Sequence, residues 1–97
     1  MKKMFEEYKE MKKNDPNNLV AFCMGDLLGF FGEDAWYVEK MLVNAPKEHK
    51  DLYQTEEDCP RYEWKETDGV RCLSAELDAM ELFVVLGGGI TIIPNNI

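Results

Sequence analysis

Glu63, Trp64 and Lys65 have the spacing of a hydrolytic site and lie on one predicted strand. Metal-dependent nucleases use an acidic residue, any residue and a lysine to hold a divalent ion and position a water molecule. Such a site also needs an aspartate upstream, and the nearest, Asp58, falls in a predicted loop. Alternating charge on an exposed strand face produces the same pattern without catalysis. We therefore assign no catalytic residue.

Cysteine and histidine are the next candidates, either as metal ligands or as a nucleophile with its base. The chain has three cysteines, Cys23, Cys59 and Cys72, and one histidine, His49. A zinc site uses about four grouped ligands, and the chain has no Cys-x-x-Cys pair. His49 lies among charged residues, where a solvated side chain is expected. We expect no metal site, no cysteine catalysis and free thiols, which suit a reducing, cytoplasmic location.

The glycines do not form a nucleotide-binding loop. Gly25, Gly29 and Gly32 lack the Gly-Lys-Ser/Thr ending of a phosphate-binding loop. The run 87–89 follows a predicted helix and precedes a predicted strand, which is the wrong order for a nucleotide site. Both sets are predicted to be turns and caps. We therefore expect no cofactor and no small-molecule substrate.

The charge distribution separates one segment from the rest of the chain. The 97 residues carry a net charge of −8, yet residues 1–13 carry +2 and the remainder −10. The lysines of this basic segment are Lys2, Lys3, Lys9, Lys12 and Lys13. Nucleic-acid affinity normally rests on neutralising phosphates, so these lysines are the possible phosphate contacts and the acidic remainder opposes binding. A charged, solvated helix face is the simpler interpretation.

Hydrophobic periodicity predicts the elements of the first half. Residues 1–13 repeat apolar positions at helical spacing and are predicted to form a first helix. The apolar runs 19–24 and 27–31 are typical of short buried strands joined by a tight turn. A second helix is predicted over 33–43, with acidic residues in its first turn. A polar loop is predicted over 45–60.

The second half is predicted to hold a hairpin and a third helix. Strands over 62–66 and 70–73 flank Asp68 and Gly69, and an Asp-Gly pair between two such runs is a hairpin signal. Ser74 is expected to cap the third helix. The predicted core positions of that helix are Leu77, Met80 and Val84.

This order of elements predicts an α/β (α+β) domain. The fold is a single small mixed sheet of about five strands, the last over 90–93, flanked by three helices. Residues 1–97 are expected to form one domain, since a chain of this length buries about 60–70% of its unfolded surface. No apolar run approaches the roughly 20 residues needed to span a bilayer, and no secretory segment is expected.

Residues 4–42 carry a recognisable order of motifs. Met4 and Tyr8 lie in the first helix, Asp15-Pro16 in the following turn, and LVAFCMGDLLGFFGEDA runs over 19–35. This order resembles the N-terminal mismatch-recognition domain (domain I) of MutS-type DNA mismatch repair proteins. Its members continue from a similar helix, turn and strand into Met-Gly-Asp-Phe-Tyr-Glu-x-Phe and an acidic Asp-Ala helix start. A looser similarity continues through Cys72, Leu77, Leu82, Val85 and Gly89.

The resemblance implies which residues face DNA. In the family, the Phe of the Phe-x-Glu motif stacks on a mismatched base and the Glu hydrogen-bonds to it. Leu27 stands at the Phe position and Gly29 at the Glu position, with Met24 and Asp26 as neighbouring motif positions. Leucine can wedge between base steps but cannot stack as a ring does, and glycine has no side-chain acceptor. The resemblance therefore carries over the fold, and not mismatch recognition by the family mechanism.

Two functions remain open. The leading hypothesis is a stand-alone, non-enzymatic MutS domain I-like protein. It either binds nucleic acid weakly through the first helix and residues 25–29 or serves as an accessory to a DNA-processing system. The family's clamp and ATPase regions are absent from these 97 residues, so no ATP hydrolysis is expected. The rival is a protein interaction or homodimerisation module that has lost DNA binding. Its surface would be the apolar cluster Leu27, Leu28, Phe30, Phe31, Trp36 and Tyr37, although such a cluster is more often core.

Overall fold

Helices and short strands alternate along the chain. The computed structural model describes residues 2–94, apart from the side chain of Glu56, so Met1 of the predicted first helix lies outside the described residues. The elements are α1 (Lys2–Asn14), β1 (Leu19–Met24), β2 (Leu27–Phe31), α2 (Gly32–Glu48), a short 3₁₀ helix (Glu56–Asp58), β3 (Tyr62–Thr67), β4 (Val70–Ala75), α3 (Ala79–Leu86) and β5 (Ile90–Ile93). Among these helices, none is long and apolar enough to cross a membrane.

The five strands form a mixed sheet in the order β3-β4-β2-β1-β5. β1 and β5 are parallel, with Leu19 opposite Ile90, and the other neighbours are antiparallel. A parallel pair needs a long crossover connection, and here every element between β1 and β5 serves as that connection. The predicted α+β fold with about five strands and three helices is confirmed.

Two tight turns set the register of the antiparallel strands. Gly25 has a φ of 68° and is the first central residue of the β1–β2 turn, as in a type II′ turn. Asp68 and Gly69, with φ values of 55° and 75°, both have the left-handed backbone of a type I′ turn. The hairpin predicted from Asp68 and Gly69 is confirmed, and its strands extend slightly further than predicted, to Thr67 and Ala75.

Side-chain alternation along the strands divides the core between the two faces of the sheet. The side covered by α2 and α3, which we call the α2 face, buries Leu19, Ala21, Leu28, Phe30 and Leu73 against Ala35, Val38, Leu42 and Leu82. The opposite side, the α1 face, buries Val20, Phe22, Phe31, Val70 and Cys72 against Tyr8 of α1. Because both sides are covered, β1 is apolar at every position, as its continuous apolar run predicted.

Helix α2 is longer than predicted. It continues to Glu48 through Pro46, whereas the sequence predicted a helix over 33–43 and a loop from residue 45. A proline in a helix interior removes one backbone hydrogen bond, but Pro46 lies in the last turn, where little helix remains to be disrupted. Its neighbour Ala45 is fully buried. Packing of Ala45 therefore extends the helix beyond the point where local preference would end it.

Helix α3 begins later and buries a different side than predicted. Ser74 is not its cap, because this residue belongs to β4, and the cap is Asp78, which forms a capping box with Glu81. Of the three predicted core positions, Leu77 is buried but precedes the helix, whereas Met80 and Val84 are exposed. The helix residue that is buried is Leu82. Seven of the eight α3 residues are apolar, so periodicity could not identify the buried side.

Candidate nucleic-acid interface

The four motif positions lie together at one end of the α1 face. Met24 and Leu27 flank the β1–β2 turn and pair across it, and Asp26 is exposed within the turn. Leu27 and Gly29 are on the same side of β2 as Phe31, which packs against α1. Leu27 is half-buried and Gly29 is buried. Asp26 is therefore open to DNA, and Met24 and Leu27 each present part of a side chain, whereas Gly29 presents none.

The space over Gly29 is filled. A Cβ atom built on Gly29 would overlap the sulfur of Met24 and would lie 3.3 Å from the Sγ of Cys72. The Met24 side chain is partly buried and packs with the core of the α1 face. The backbone at Gly29 has no left-handed strain, so the constraint is one of packing alone. A longer side chain at this position requires Met24 to move.

Beside Leu27, an open groove of about 320 Å³ crosses the strands β2, β4 and β3. Its lining residues are Leu27, Arg61, Tyr62, Glu63, Lys65, Ser74 and Glu76. These residues lie together because of the strand register: Ser74 pairs with Gly29 of β2 on one side and with Glu63 of β3 on the other. Arg61, Ser74 and Glu76 line this groove, although no local sequence pattern predicted them there. A prediction of the strand pairing β2-β4-β3 would have placed Ser74 beside Gly29.

The groove carries cations and carboxylates that are only weakly paired. The Nζ of Lys65 lies 3.9 Å from the Oε1 of Glu63, and both side chains are exposed, so this ion pair contributes little to stability. Arg61 and Glu76 are exposed and form no ion pair within the described part of the chain. These groups are therefore available to a charged or polar ligand.

The floor of the groove contains an unpaired hydroxyl. Ser74 is 3% exposed, and its Oγ has no hydrogen-bond partner among residues 2–94. An unsatisfied buried polar group costs about 1–3 kcal/mol, and folded proteins contain few of them. The Ser74 hydroxyl is enclosed beneath the groove, next to the Cys72 thiol.

Helix α1 lies on the same side of the sheet as the groove. Tyr8 packs in the core of the α1 face, and Lys2, Lys3, Lys9 and Lys13 are exposed to solvent. The Nζ of Lys9 lies 4.9 Å from the centre of the Phe5 ring, which is a cation–π distance. Four of the five predicted phosphate contacts therefore border the face that holds Leu27.

Lys12, the fifth of these lysines, binds within the fold. Its Nζ donates to the backbone oxygen of Asn18 at 2.7 Å and to Oδ1 of Asp34 at 3.0 Å. The other carboxylate oxygen of Asp34 accepts the backbone N–H of Val20 at 3.0 Å. The buried carboxylate of Asp34 thus connects α2 to α1 and to β1. Lys12 is therefore already paired within the fold.

Of the residues considered for a nuclease site, the structure brings Glu63 and Lys65 together and turns Trp64 away from them. Glu63 and Lys65 face the groove, whereas Trp64 points to the α2 face and its Nε1 donates to Glu39 at 2.5 Å. Within residues 2–94 no three His, Cys, Asp or Glu side chains are grouped as metal ligands would be. The cysteines are free thiols, and burial raises the pKa of the Cys72 thiol, which disfavours the reactive thiolate.

The apolar cluster considered as a partner surface is divided between core and surface. Leu28, Phe30 and Phe31 are buried, while Trp36 and Tyr37 on α2 are more than half exposed. Trp36 packs on Trp64 with ring centres 5.2 Å apart. A second exposed apolar group lies on α3 and consists of Met80, Phe83 and Val84. The exposed part of this cluster therefore lies on α2, apart from the half-buried Leu27 of β2.

Searches of curated proteins and of solved structures find no match to this chain. The sequence model of the family described as MutS domain I matches residues 2–60, which is more than half of the chain. The matched segment includes α1, β1, β2 and α2, and with them the lysines of α1 and the positions of Leu27 and Gly29. The chain therefore belongs to the MutS domain I family of DNA-binding domains of mismatch repair.

Proposed function

We propose that this chain is a single, non-enzymatic domain that binds DNA through the α1 face and does not recognise mismatches by the Phe-x-Glu mechanism. The observation that carries the proposal is the position of Leu27, which lies half-buried at a groove that also presents Arg61 and Lys65. The exposed lysines of α1 border the same face. Apolar and cationic groups thus meet where the family contacts DNA.

Loss of mismatch recognition follows from Leu27 and Gly29. Stacking of an aromatic ring contributes about 1–3 kcal/mol per base in nucleic-acid binders, and leucine has no ring. The hydrogen bond that the family's glutamate makes has no donor or acceptor side chain at Gly29, and Met24 fills the adjacent space. Leu27 can still act as an apolar wedge in the minor groove.

The charge distribution supports weak, salt-dependent binding. The net charge of −8 repels DNA at a distance, whereas the lysines of α1 supply a local excess of +2 over residues 1–13. Arg61 and Lys65 add two cations at the groove. We expect binding that weakens steeply with salt, because phosphate contacts dominate it.

Fluorescence anisotropy with matched, mismatched and single-stranded oligonucleotides tests the proposal. Binding should fall with added salt and with the double variant Lys9→Glu and Lys13→Glu, by about tenfold or more at low salt. The variant Lys40→Glu and Lys47→Glu is the matched control, since it makes the same charge change on α2. An equal loss in both double variants, or no binding to any of the three oligonucleotides at low salt, would contradict the proposal.

The second candidate function is protein interaction, and the exposed side of α3 favours it. Met80 is 76% exposed, and Phe83 and Val84 beside it are about half exposed. Apolar side chains at this i, i+3, i+4 spacing form one stripe on a helix, and such stripes often mark interfaces. Sedimentation of the wild type and of Val84→Lys discriminates between the functions. Association that Val84→Lys abolishes, together with absent DNA binding, would support the interaction module instead.

A further inference from the structure

The outer side of β3 is an unpaired sheet edge. β3 is the first strand in the order β3-β4-β2-β1-β5, and it pairs with β4 without interruption from Tyr62 to Thr67. We infer that this edge pairs with the same edge of a second copy of the chain, antiparallel and centred on Trp64. The inference goes beyond DNA binding and does not depend on it. Three observations support it: the free backbone groups of β3, the order of its charges, and the exposed aromatic side chain beside it.

The backbone of β3 presents alternate residues to the free edge. The carbonyl of Arg61 accepts the N–H of Glu76 at 2.8 Å, so these two residues extend the β3–β4 ladder as a hydrogen-bonded pair. Such pairs alternate along an antiparallel ladder, and Tyr62, Trp64 and Glu66 therefore direct their N–H and C=O groups away from β4. No group in the described part of the chain bonds to them there. β3 has neither the proline nor the bulge that commonly protects an edge.

The charges of β3 fit one antiparallel register. When Trp64 lies opposite the partner's Trp64, Glu63 lies opposite the partner's Lys65, and Lys65 lies opposite the partner's Glu63. These are non-hydrogen-bonded pairs, in which the side chains approach most closely. Registers centred on Glu63 or on Lys65 would instead place like charges opposite each other. A lysine on an edge strand commonly opposes pairing, whereas in the register centred on Trp64 it attracts the partner.

Aromatic side chains next to the edge add apolar surface to this pairing. The ring of Trp64 lies on the α2 face, 5.2 Å from the ring of Trp36, and its Nε1 donates to Glu39. Trp36 is 58% exposed. In the inferred register the Trp64 residues of the two copies are direct neighbours, and aromatic cross-strand pairs stabilise antiparallel sheets. Pairing therefore covers part of an aromatic surface that one copy leaves open to solvent.

Pairing at β3 joins the two five-stranded sheets into one continuous sheet. The twofold axis that relates antiparallel neighbours within one sheet is perpendicular to the sheet. Both α1 faces therefore lie on one side of the dimer, and both α2 faces lie on the other. Because the paired segment, 62–66, is short, we expect a small interface and a weak dimer, with a dissociation constant of about 10–100 µM.

Sedimentation velocity of the intact chain at about 0.15 M salt, over concentrations on both sides of that constant, tests the inference. Glu63→Lys and Lys65→Glu each place like charges opposite each other, so each should weaken association by about tenfold or more. The double variant Glu63→Lys and Lys65→Glu exchanges the charges and should dimerise as the wild type does. An equimolar mixture of the two single variants should form heterodimers. Lys47→Glu, at the other end of α2 from Trp36, is the matched control and should leave association unchanged. Thermal unfolding confirms that each variant is folded.

Amide hydrogen exchange locates the interface. The N–H groups of Trp64 and Glu66 should exchange more slowly as the protein concentration rises, whereas those of Glu63 and Lys65 already bond to β4 and should not change. A monomer at every concentration would overturn the inference, as would a dimer that the charge exchange does not restore. Association that Val84→Lys abolishes and Lys65→Glu leaves intact would place the interface on α3 instead. None of these outcomes decides whether the chain binds DNA, which the anisotropy titrations measure separately.

Discussion

The sulfur of Met24 lies over Gly29 and occupies the place that a side chain at Gly29 would take. Met24 belongs to the end of β1 and Gly29 to β2, so the contact spans the hairpin that carries the family motif. In this chain the two residues form one packing unit. A side chain at position 29 therefore requires the Met24 side chain to adopt another conformation.

Gly29→Ala should destabilise the fold by about 1 kcal/mol or less, because its Cβ overlaps the flexible end of the partly exposed Met24 side chain, which can rotate away. Met24→Ala removes the sulfur. The double variant Met24→Ala and Gly29→Ala should therefore lose less unfolding free energy than the sum of the losses in the two single variants. Urea unfolding of the four proteins measures this coupling. Additive costs would show that Met24 and Gly29 pack independently.

Asp34→Asn should lower the free energy of unfolding by about 3 kcal/mol. The change leaves the Lys12 ammonium without its carboxylate in a largely buried position, where a broken ion pair costs more than an intact one contributes. Glu33→Gln is the matched control: it is the neighbouring, exposed acidic residue of the same helix turn, and its effect should stay within about 0.5 kcal/mol. Equal effects of the two substitutions would refute the structural role of Asp34.

Stability should fall in alkaline solution. Burial raises the pKa of the Cys72 thiol, and burial together with the Glu81 carboxylate raises the pKa of Tyr53, whose hydroxyl donates to Glu81. The unfolded chain then loses these protons at lower pH than the folded chain, so stability is full below the ordinary value of 9.0 for the thiol and declines as the pH rises above it.

Urea unfolding at about pH 7, 9 and 10.5 measures this decline. Cys72→Ala and Tyr53→Phe each remove one titrating group, so each variant should show a shallower loss of stability with pH than the wild type. A wild-type stability that stays constant or rises over this range would contradict the assignment.

The buried side of α3 can be tested by two truncations. Leu82→Ala should cost about 2–5 kcal/mol, because Leu82 is fully buried between α3 and the sheet. Met80→Ala, two residues away on the exposed side, should change stability by less than about 0.5 kcal/mol. Thermal unfolding of the two variants measures both changes. A larger loss of stability in Met80→Ala than in Leu82→Ala would mean that α3 buries the side that bears Met80.

Much of this fold could be predicted because local signals and tertiary packing agree. The bounds of β1 and β2 follow from two apolar runs separated by Gly25 and Asp26, and those of the β3–β4 hairpin from Asp68 and Gly69. At these places the turn geometry demands the residues that the sequence supplies. The family resemblance gave Leu27 as a motif position, and Leu27 lies on the α1 face.

Other features depend on long-range pairing and could not be predicted in the same way. Ser74 was expected to cap α3, since serine favours that position, but its pairing with Gly29 and Glu63 makes it part of the sheet. Lys12 has the same sequence signature as the other lysines of α1, and only the contact with Asp34 distinguishes it. The groove exists because three strands align, and no local pattern reports that alignment.

The proposed function differs from that of the family in how this domain treats a mismatch. The decisive measurement is an anisotropy titration of the wild type with a matched duplex and with the same duplex carrying one G·T mismatch, both at about 50 mM salt. The family's Phe-x-Glu motif contacts a mismatched base, and this chain has Leu27 and Gly29 at the two motif positions. We predict that both duplexes bind with affinities within about twofold of each other. A tenfold or greater preference for the mismatch would contradict the account, as would the absence of binding to both duplexes.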